Sequence, residues 1–505
     1  MLHKLAHAIA TCTIFLVPVS SVAADIGLSR DYNSDNGCDR TALSDTSSRL
    51  DDGQARCYTK NPHESSYPSQ HSSEHGISTN IASLISLSEY RSDSQEPLRS
   101  SPVTVLSGDV ELLSGATQYL GNSANKSLEA GVSSEGYVNP SPQNSTSLNY
   151  RLTLDISTTF TGTDLLFLQL RSGNFQNSAF AGYNSYVFEA AQTVSLDADT
   201  SNRLHVSRLW YQKPIVPLNA MIFVGTRIRN TDMLAVPPSV YGDGDDTLQI
   251  FKQAGIPGAY TYDSGAGAGF WFKRALNNDG LILSWSNNYV AFTGNKGDPG
   301  LGGLGTSSSR SKYLSQVAFG TSMWQLSFAY AYTQARGLIG VGTPLGGYWV
   351  MPLSNAHTLG TSAFWQPMKL GWIPSISAGI GSSWFDTSQL QGAANHHIVA
   401  RKQNMSWMAG LEWQDLGGPG NILGLAIGGP EWVVRQTGSK EPNDTNMAYE
   451  LWYKILVSDF VSIVPSVFYL SRPFGQLTGA GPRYGGSGTS TFSVVGAVLK
   501  FNFSF

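Results

Sequence analysis

The feature that most constrains the fold is a strict alternation of apolar and polar side chains, clearest between residues 148 and 157. The apolar members are Leu148, Tyr150, Leu152, Leu154 and Ile156, and the polar members between them are Asn149, Arg151, Thr153, Asp155 and Ser157. Because neighbouring side chains of a strand point to opposite faces, this period predicts a β-strand with one apolar face. After a turn at Thr161–Asp164, the alternation resumes in residues 166–171, so we predict a hairpin.

The same alternation recurs along the chain to its last residue. It begins near Val103, where we place the first barrel strand, and it returns in residues 405–414 and 449–457. In the last segment Leu499, Phe501, Phe503 and Phe505 alternate with Lys500, Asn502 and Ser504. A final strand of this kind with a terminal aromatic residue is typical of bacterial outer-membrane barrels. The repeated pattern predicts an all-β fold, a transmembrane antiparallel β-barrel.

The composition favours a barrel with lipid outside and water inside. Charged residues make up 13% of the chain, against about 25% in a typical soluble domain. Past the N-terminal segment no apolar run approaches the roughly 18 residues of a membrane helix, so helical spans are excluded. A packed soluble sandwich would rarely tolerate the charges on the polar strand faces, which are Arg151, Asp155, Arg171, Glu450 and Lys454. The net charge of −4 and the lack of a basic cluster give no sign of nucleic-acid binding.

Residues 1–24 have the features of a secretory signal peptide. Lys4 precedes an apolar stretch from Ala8 to Val19, and small residues follow at positions 21, 23 and 24. The stretch is shorter than the roughly 20 residues that a membrane-spanning helix needs. We therefore expect the mature chain to begin at Ala24 or Asp25.

Residues 25–101 are rich in Ser, Asp and His, and we expect them to form a periplasmic segment ahead of a barrel domain at residues 102–505. The segment shows neither a helical nor a strand period, which indicates a loose chain or a small disulfide-tied module. Cys38 and Cys57 form a disulfide in an oxidising compartment if they meet, whereas two cysteines without CxxC spacing supply only half of a zinc site.

The size of the chain and one long connection predict a narrowed aqueous pore. About 400 residues at about 25 per strand and loop give about 16 strands, within a range of about 14 to 18. The connection from Asn230 to Gly267 is the candidate for a constriction loop folded into the lumen, because three prolines stiffen it. Its acidic residues and the basic residues of the preceding strand would set a transverse field there; they are Asp243, Asp245, Asp246 and Asp263, with Arg227 and Arg229. The alternative is a solvated extracellular loop.

No motif in the sequence indicates an enzyme, a cofactor or a bound metal. We find neither GxSxG nor HExxH, and the glycines at 265, 267 and 269 lack a βαβ context. Adjacent His396 and His397 would point in opposite directions on an extended chain and serve one ion poorly. The aspartates around Asp245 lack the EF-hand pattern.

Several stretches resemble the cyanobacterial iron uptake porin family, which is related to the carbohydrate-selective OprB-like porins. The matching runs occur in family order over roughly residues 102–505 and are 151–175, 209–211, 227–241, 254–270, 406–415 and 449–473. The resemblance implies a SomA-type outer-membrane porin of Gram-negative, cyanobacterial type that forms a homotrimer and passes inorganic ions, including iron. Family members typically carry an S-layer-homology module and a coiled coil that contact peptidoglycan, and residues 25–101 show neither.

Two functions from the porin class and one from another class follow from these patterns. The first is a passive porin for ions and small hydrophilic solutes, in which iron rests on the resemblance alone. The second is a carbohydrate-selective channel, which would need aromatic stacking platforms in the lumen, where Trp452 alone is expected. A barrel enzyme or a gated transporter would need a catalytic cluster or a plug with a larger barrel, and neither fits the sequence.

Overall fold

In the computed structural model the chain forms a closed ring of antiparallel strands. The structure describes residues 101–122, 145–175, 178–179, 202–242, 245–260, 264–278, 280–334, 341–343, 345–346, 355–369, 371–386, 401–437, 441–478 and 491–505. The predicted signal peptide, residues 25–100 of the predicted periplasmic segment with Cys38 and Cys57, and His396 and His397 lie outside these residues. The boundaries at 24 and 101 therefore stay predictions.

Sixteen strands are present in the described part of the chain. They are β1 (Val103–Leu120), β2 (Ser147–Thr159), β3 (Leu165–Gly173), β4 (His205–Ile215), β5 (Ala220–Ile228), β6 (Gly265–Ala275), β7 (Ile282–Ala291), β8 (Ser311–Gly320), β9 (Trp324–Thr333), β10 (Ala356–Trp365), β11 (Ser375–Phe385), β12 (Arg401–Gln414), β13 (Ile422–Gln436), β14 (Met447–Ser458), β15 (Val461–Ser471) and β16 (Ser493–Ser504). A short helix, α1 (Gln249–Lys252), lies between β5 and β6, and 3-10 turns occupy Val216–Leu218, Thr231–Met233 and Gly475–Leu477.

Each strand pairs with its sequence neighbours, and β16 pairs with β1 to close the barrel. The first hairpin forms where the alternation predicted it, with Leu154 opposite Leu170 across β2 and β3. Its turn is held by Asp164, whose Oδ1 accepts the backbone N–H groups of Phe160 and Thr161 at 2.9 and 2.8 Å. Burial alone would raise the pKa of Asp164, but these bonds and those from Tyr211 and Thr159 lower it below its ordinary value.

The two rims of the barrel differ in the length of their connections. Connections such as β2–β3 and β14–β15 are short and lie on one side, the short-turn rim, together with the start of β1 and the end of β16. Connections such as β5–β6 and β9–β10 lie on the opposite side, the long-loop rim. Long extracellular loops and short periplasmic turns are the usual arrangement of outer-membrane barrels.

The burial pattern shows which side chains face the lumen. On β12 the buried positions include Asn404, Ser406 and Glu412, while Trp407 and Leu411 between them are more exposed. The large apolar side chains exposed on the outer face form the surface that meets lipid, including Leu359 on β10, Ile380 on β11 and Val467 on β15. The predicted fold class is confirmed: a transmembrane antiparallel β-barrel of sixteen strands.

Within the described residues, we find no helix with the length and apolar character required for a membrane span.

Candidate functional site

The connection between β5 and β6 folds into the barrel as predicted, and we call residues 229–264 the constriction loop. It turns inward at Asn230, whose Nδ2 donates to Asn288 Oδ1 at 2.6 Å, and Asn288 Nδ2 donates back to Asn230 O at 3.1 Å. The backbone N–H of Ala235 then donates to Ser286 Oγ at 2.8 Å. Asn288 and Ser286 are buried on the inner face of β7, so the loop lies inside the ring and not above it. The loop ends at residue 264, directly before β6, which is three residues earlier than the sequence predicted.

Side-chain amides of the wall meet the loop where its prolines stand. Gln316 Nε2 on β8 donates to Val236 O at 2.9 Å, and Gln325 Nε2 on β9 donates to Pro237 O at 2.6 Å. Proline has no backbone N–H, so the only backbone polar group that Pro237 offers is its carbonyl, and the Gln325 amide satisfies this acceptor. These contacts carry the loop across the lumen toward β11, where Val240 N donates to Ser377 Oγ at 3.3 Å.

Glu450 on β14 fixes the tip of the loop. Its Oε2 accepts the backbone N–H groups of Thr247 and Leu248 at 3.1 and 2.8 Å, and its Oε1 accepts the Tyr241 hydroxyl at 2.9 Å. Trp452 Nε1 donates to the same Tyr241 oxygen at 2.9 Å. Glu450 is 2% exposed, so its carboxyl group accepts hydrogen bonds from the loop in place of hydrogen bonds from water.

Lysines and a second glutamate complete the attachment. Lys500 Nζ on β16 donates to the carbonyl oxygens of Asp245 and Asp246 at 2.8 Å each. Lys454 Nζ lies 2.9 Å from Asp245 Oδ2. Glu412 Oε2 on β12 accepts the N–H of Gly242 at 3.0 Å. The predicted acidic residues Asp245 and Asp246 therefore lie against lysine-bearing strands β14 and β16.

An apolar cluster lies inside the barrel beneath the loop tip. Leu248, which directly precedes α1, and Ile250 and Phe251 within α1 are fully buried. They pack on inward-facing side chains of the wall, which include Leu113, Trp452, Val464, Phe468, Val494 and Val498. The inner face of β14, β15, β16 and β1 is thus partly apolar, which the alternation of polar and apolar faces did not predict.

Glycines of the wall allow the returning half of the loop to approach. A Cβ at Gly379 on β11 would overlap the carbonyl oxygen of Ala254, and one at Gly360 on β10 would lie 2.5 Å from Ile256 Cγ2. Lys312 Nζ on β8 then donates to Gly258 O at 2.8 Å. Absence of a side chain at these wall positions is what permits the close contact.

A different set of residues lines β1 to β4, where charges alternate across the strands. Arg151 lies 2.9 Å from Glu111, directly opposite on β1. Arg208 lies 3.2 Å from Asp232 of the loop, and Gln169 donates to Asp155 at 2.9 Å. The described inner surface here thus carries two ion pairs, one of them with the loop, and a hydrogen bond between two side chains.

The sequence-predicted site residues separate into three groups in the structure. Arg151, Asp155 and Arg171 lie on the inner faces of β2 and β3, and Glu450 and Lys454 lie on β14 beside the loop. Arg227 is half-buried at a β-bulge and donates from Nε to Ser207 O at 3.3 Å, and Arg229 is buried at the start of the loop. Asp243 and Asp263 lie outside the described residues.

Several residues that hold the loop were missed by the sequence reasoning. Lys500 stands on the polar side of the final strand, but its acceptors are loop carbonyls about 250 residues away in sequence. Arg208 was hidden because a bulge in β4 buries both Ser207 and Arg208, which breaks the alternation. The signal for Lys500 was present, since a charged residue on the inner face of a barrel strand needs a partner or water.

Inward-facing aromatic residues are more numerous than the sequence indicated. Phe167, Trp210 and Phe223 lie on the inner faces of β3, β4 and β5, with ring centroids 5.1 Å apart for the first pair and 6.1 Å for the second. They form an apolar cluster with Met221 and Met233. Trp452 is therefore one of several inward aromatic side chains.

A second long connection also folds against the inner wall, near the long-loop rim. Gly342 forms a parallel bridge with Glu431 on β13, and Thr343 Oγ1 donates to Asp444 Oδ2 at 2.6 Å. The backbone N–H groups of Val433 and Gln476 also donate to Asp444, at 2.8 and 3.0 Å. Burial raises the pKa of Asp444 to about 6, although these hydrogen bonds oppose the shift. Asp444 thus joins three connections of this rim.

Among the residues that the structure describes, no group of three or more His, Cys, Asp or Glu side chains is arranged to hold a metal ion.

No family model matches the chain. An uncharacterized protein of Synechocystis sp. (strain ATCC 27184 / PCC 6803 / Kazusa) is 28% identical over 354 residues, which cover 65% of this chain and 60% of the relative. An uncharacterized protein of Nostoc sp. (strain PCC 7120 / SAG 25.82 / UTEX 2576) is 26% identical over 375 residues, which cover 70% and 62%. The chain therefore spans about three fifths of the length of the curated relatives it matches.

Two solved structures are similar to the barrel. An anion-selective porin from Comamonas acidovorans has a TM-score of 0.46 and 12% identity, covering 80% of this chain and 100% of that chain. OprB from Pseudomonas putida has a TM-score of 0.47 and 10% identity, covering 80% and 94%.

Proposed function

We propose that the protein is an outer-membrane channel through which ions and small hydrophilic solutes diffuse passively. The observation that carries the proposal is the sidedness of the closed ring. Its outer face exposes large apolar side chains, and its inner face carries ion pairs such as Arg151 with Glu111. A bilayer requires closure because an unpaired strand edge finds no water there, and inward charges require a polar interior.

The constriction loop sets the size of the path. It contacts inner faces from β7 round to β16, and its Asp232 also pairs with Arg208 on β4. A path narrowed in this way favours small hydrated ions over large solutes.

Inorganic ions are the first solute class, and iron among them rests on the family resemblance. Carbohydrates are the alternative, and they rest on the resemblance to the carbohydrate-selective porins, because the inward rings of Phe167, Trp210 and Phe223 are buried against Met233 of the loop. The constriction residues are the predicted set, with Lys500 and Arg208 added. We propose no enzymatic activity and no cofactor.

The same proposal includes a homotrimer in the outer membrane of a Gram-negative, cyanobacterial type of cell. It does not specify a contact with peptidoglycan. The support is the resemblance together with the outer face, which is apolar enough to meet either lipid or a second copy.

Single-channel recording in a planar lipid bilayer tests the proposal. We expect discrete ohmic steps whose conductance rises in proportion to the salt concentration, because the path is aqueous. Added sugar should reduce the ion current if carbohydrates bind in the lumen and should leave it unchanged if they do not.

The matched control is the same protein heated until it unfolds, which should give no steps. Native protein that shows β-rich circular dichroism, inserts into the bilayer and yet gives no steps would refute the channel.

A further inference from the structure

One row of outward-facing side chains follows the long-loop rim of the barrel. Its members are direct cross-strand partners on seven successive strands, and each is the second or third residue from the long-loop end of its strand. The row is Tyr289, Tyr313, Tyr332, His357, Trp384, Gln403 and Arg435. Direct partners lie about 5 Å apart, so the row is continuous.

The row changes character along its length. Tyrosines occupy β7 to β9, as expected where aromatic rings sit at the level of lipid headgroups. From β10 to β13 the row carries His357, Trp384, Gln403 and Arg435, and exposed Lys402 adjoins Gln403 at a β-bulge. At the corresponding positions of β16, β1 and β2 stand Val495, Gln118 and Leu148, without a cation.

His357 is held in a fixed orientation. Its Nδ1 is 2.9 Å from the Tyr330 hydroxyl, and its ring lies 5.0 Å from that of Tyr332. This bond leaves Nε2 as the imidazole atom that faces a ligand. Trp384, directly opposite on β11, is 39% exposed. An indole face beside a fixed imidazole is a surface on which a sugar ring stacks while its substituents accept hydrogen bonds.

We propose that this patch, His357, Trp384, Gln403, Arg435 and Lys402, binds the headgroup of an anionic glycolipid. Four strands at about 4.8 Å spacing place Arg435 about 14 Å from His357, a span of about two sugar rings. Arg435 and Lys402 supply positive charge for a phosphate, sulfonate or carboxylate. Gln403 Nε2 donates to Ser382 Oγ at 2.9 Å, so its amide oxygen and His357 Nε2 bind hydroxyls, and Trp384 contacts the ring. The inference rests on the proposed function, since that function places the long-loop rim at the outer leaflet.

Native mass spectrometry of the full-length protein in detergent tests the inference with four defined lipids. Lipid A carries phosphates on sugars, sulfoquinovosyl diacylglycerol carries a sulfonate, monogalactosyl diacylglycerol is a neutral glycolipid, and phosphatidylglycerol is an anion without a sugar. We expect lipid A or the sulfonated lipid to be retained preferentially over the other two. The double variant His357→Ala with Arg435→Gln should reduce that retention about tenfold, because two hydrogen-bonding groups are lost.

Arg274→Gln is the control, since Arg274 is exposed on β6 at the opposite rim. It removes the same charge and should leave retention unchanged. Equal retention of all four lipids, equal retention of phosphatidylglycerol and the anionic glycolipids, or an equal loss in both variants would overturn the inference. If the double variant misfolds, the ranking of the four lipids on the unmodified protein still decides. Ohmic channels without lipid preference would refute only this inference, whereas lipid preference without channels would refute only the proposed function.

Discussion

The inner wall of the barrel has two sectors that differ in what they face. The loop sector, β7 to β16, meets the constriction loop with apolar side chains, with glycine and with buried charges that bind loop backbone, as Glu450 and Lys500 do. The open sector, β1 and β2, carries an ion pair between neighbouring strands, that of Arg151 and Glu111.

The difference shows that a barrel strand alternates for two separate reasons. Its outward residues are apolar in both sectors because they meet lipid. The chemical character of its inward residues depends on what they contact. Residues that contact water are charged or polar, whereas residues that pack against the loop fit it in shape and through fixed hydrogen bonds. Trp452 and Phe468, both inward and buried, are core residues of the loop sector.

The largest effect should come from Glu450→Ala in the loop sector. The change leaves the N–H groups of Thr247 and Leu248 and the Tyr241 hydroxyl without their acceptor in a buried site. Unsatisfied buried groups cost about 1–3 kcal/mol each, so we expect the free energy of unfolding to fall by about 3 kcal/mol or more. Urea unfolding of the refolded protein in lipid vesicles measures the loss, and bilayer recording should show larger and noisier conductance because the loop tip is released.

Glu450→Gln is the matched variant, because its amide oxygen still accepts hydrogen bonds. It should lose about half as much free energy of unfolding and keep a steadier conductance. Stability unchanged in Glu450→Ala would mean that the loop is not fixed at this strand, and the distinction between the two sectors would fail.

The next effect should come from Gly379→Val, which tests shape and not charge. Its side chain would occupy the position of the Ala254 carbonyl, so the returning half of the loop must shift. Overpacking costs about 1–3 kcal/mol, and the shift should change single-channel conductance. Ala378→Val is the control, because residue 378 faces outward, and it should alter the free energy of unfolding by less than about 0.5 kcal/mol. Equal effects of the two valines would contradict the close approach.

Much of the fold followed from the sequence because two-residue periodicity is a local property. The β2–β3 hairpin, its turn at Asp164 and the inward side of Arg151 and Asp155 all depend on neighbours within about 20 residues. The path of the constriction loop was indicated by its prolines, and the structure confirms that it lies in the lumen.

The partners of the loop could not be predicted in the same way. Glu450 and Thr247 are 203 residues apart, and nothing local to either residue indicates the contact. Bulges add a second obstacle, because the extra residue at Ser207 turns Arg208 inward against the period. Gly379 gave no signal either, since a glycine in a strand has several explanations before the loop is seen against it.

The smallest effect should come from Glu111→Gln in the open sector, the same substitution as in Glu450→Gln. The side chains of Arg151 and Glu111 are 15% and 6% exposed, and the amide oxygen of Gln can still accept a hydrogen bond from the guanidinium. We therefore expect a loss of about 1 kcal/mol in the free energy of unfolding. The substitution removes one negative charge from the inner wall, so the reversal potential in a salt gradient should move by a few millivolts toward anions. Asp459→Asn, in the short turn between β14 and β15, removes the same charge outside the lumen and should leave the reversal potential unchanged. If Glu111→Gln lowered the free energy of unfolding as much as Glu450→Gln, the inner wall of the open sector would be as inaccessible to water as that of the loop sector. Charge on an inner wall would then no longer indicate contact with water.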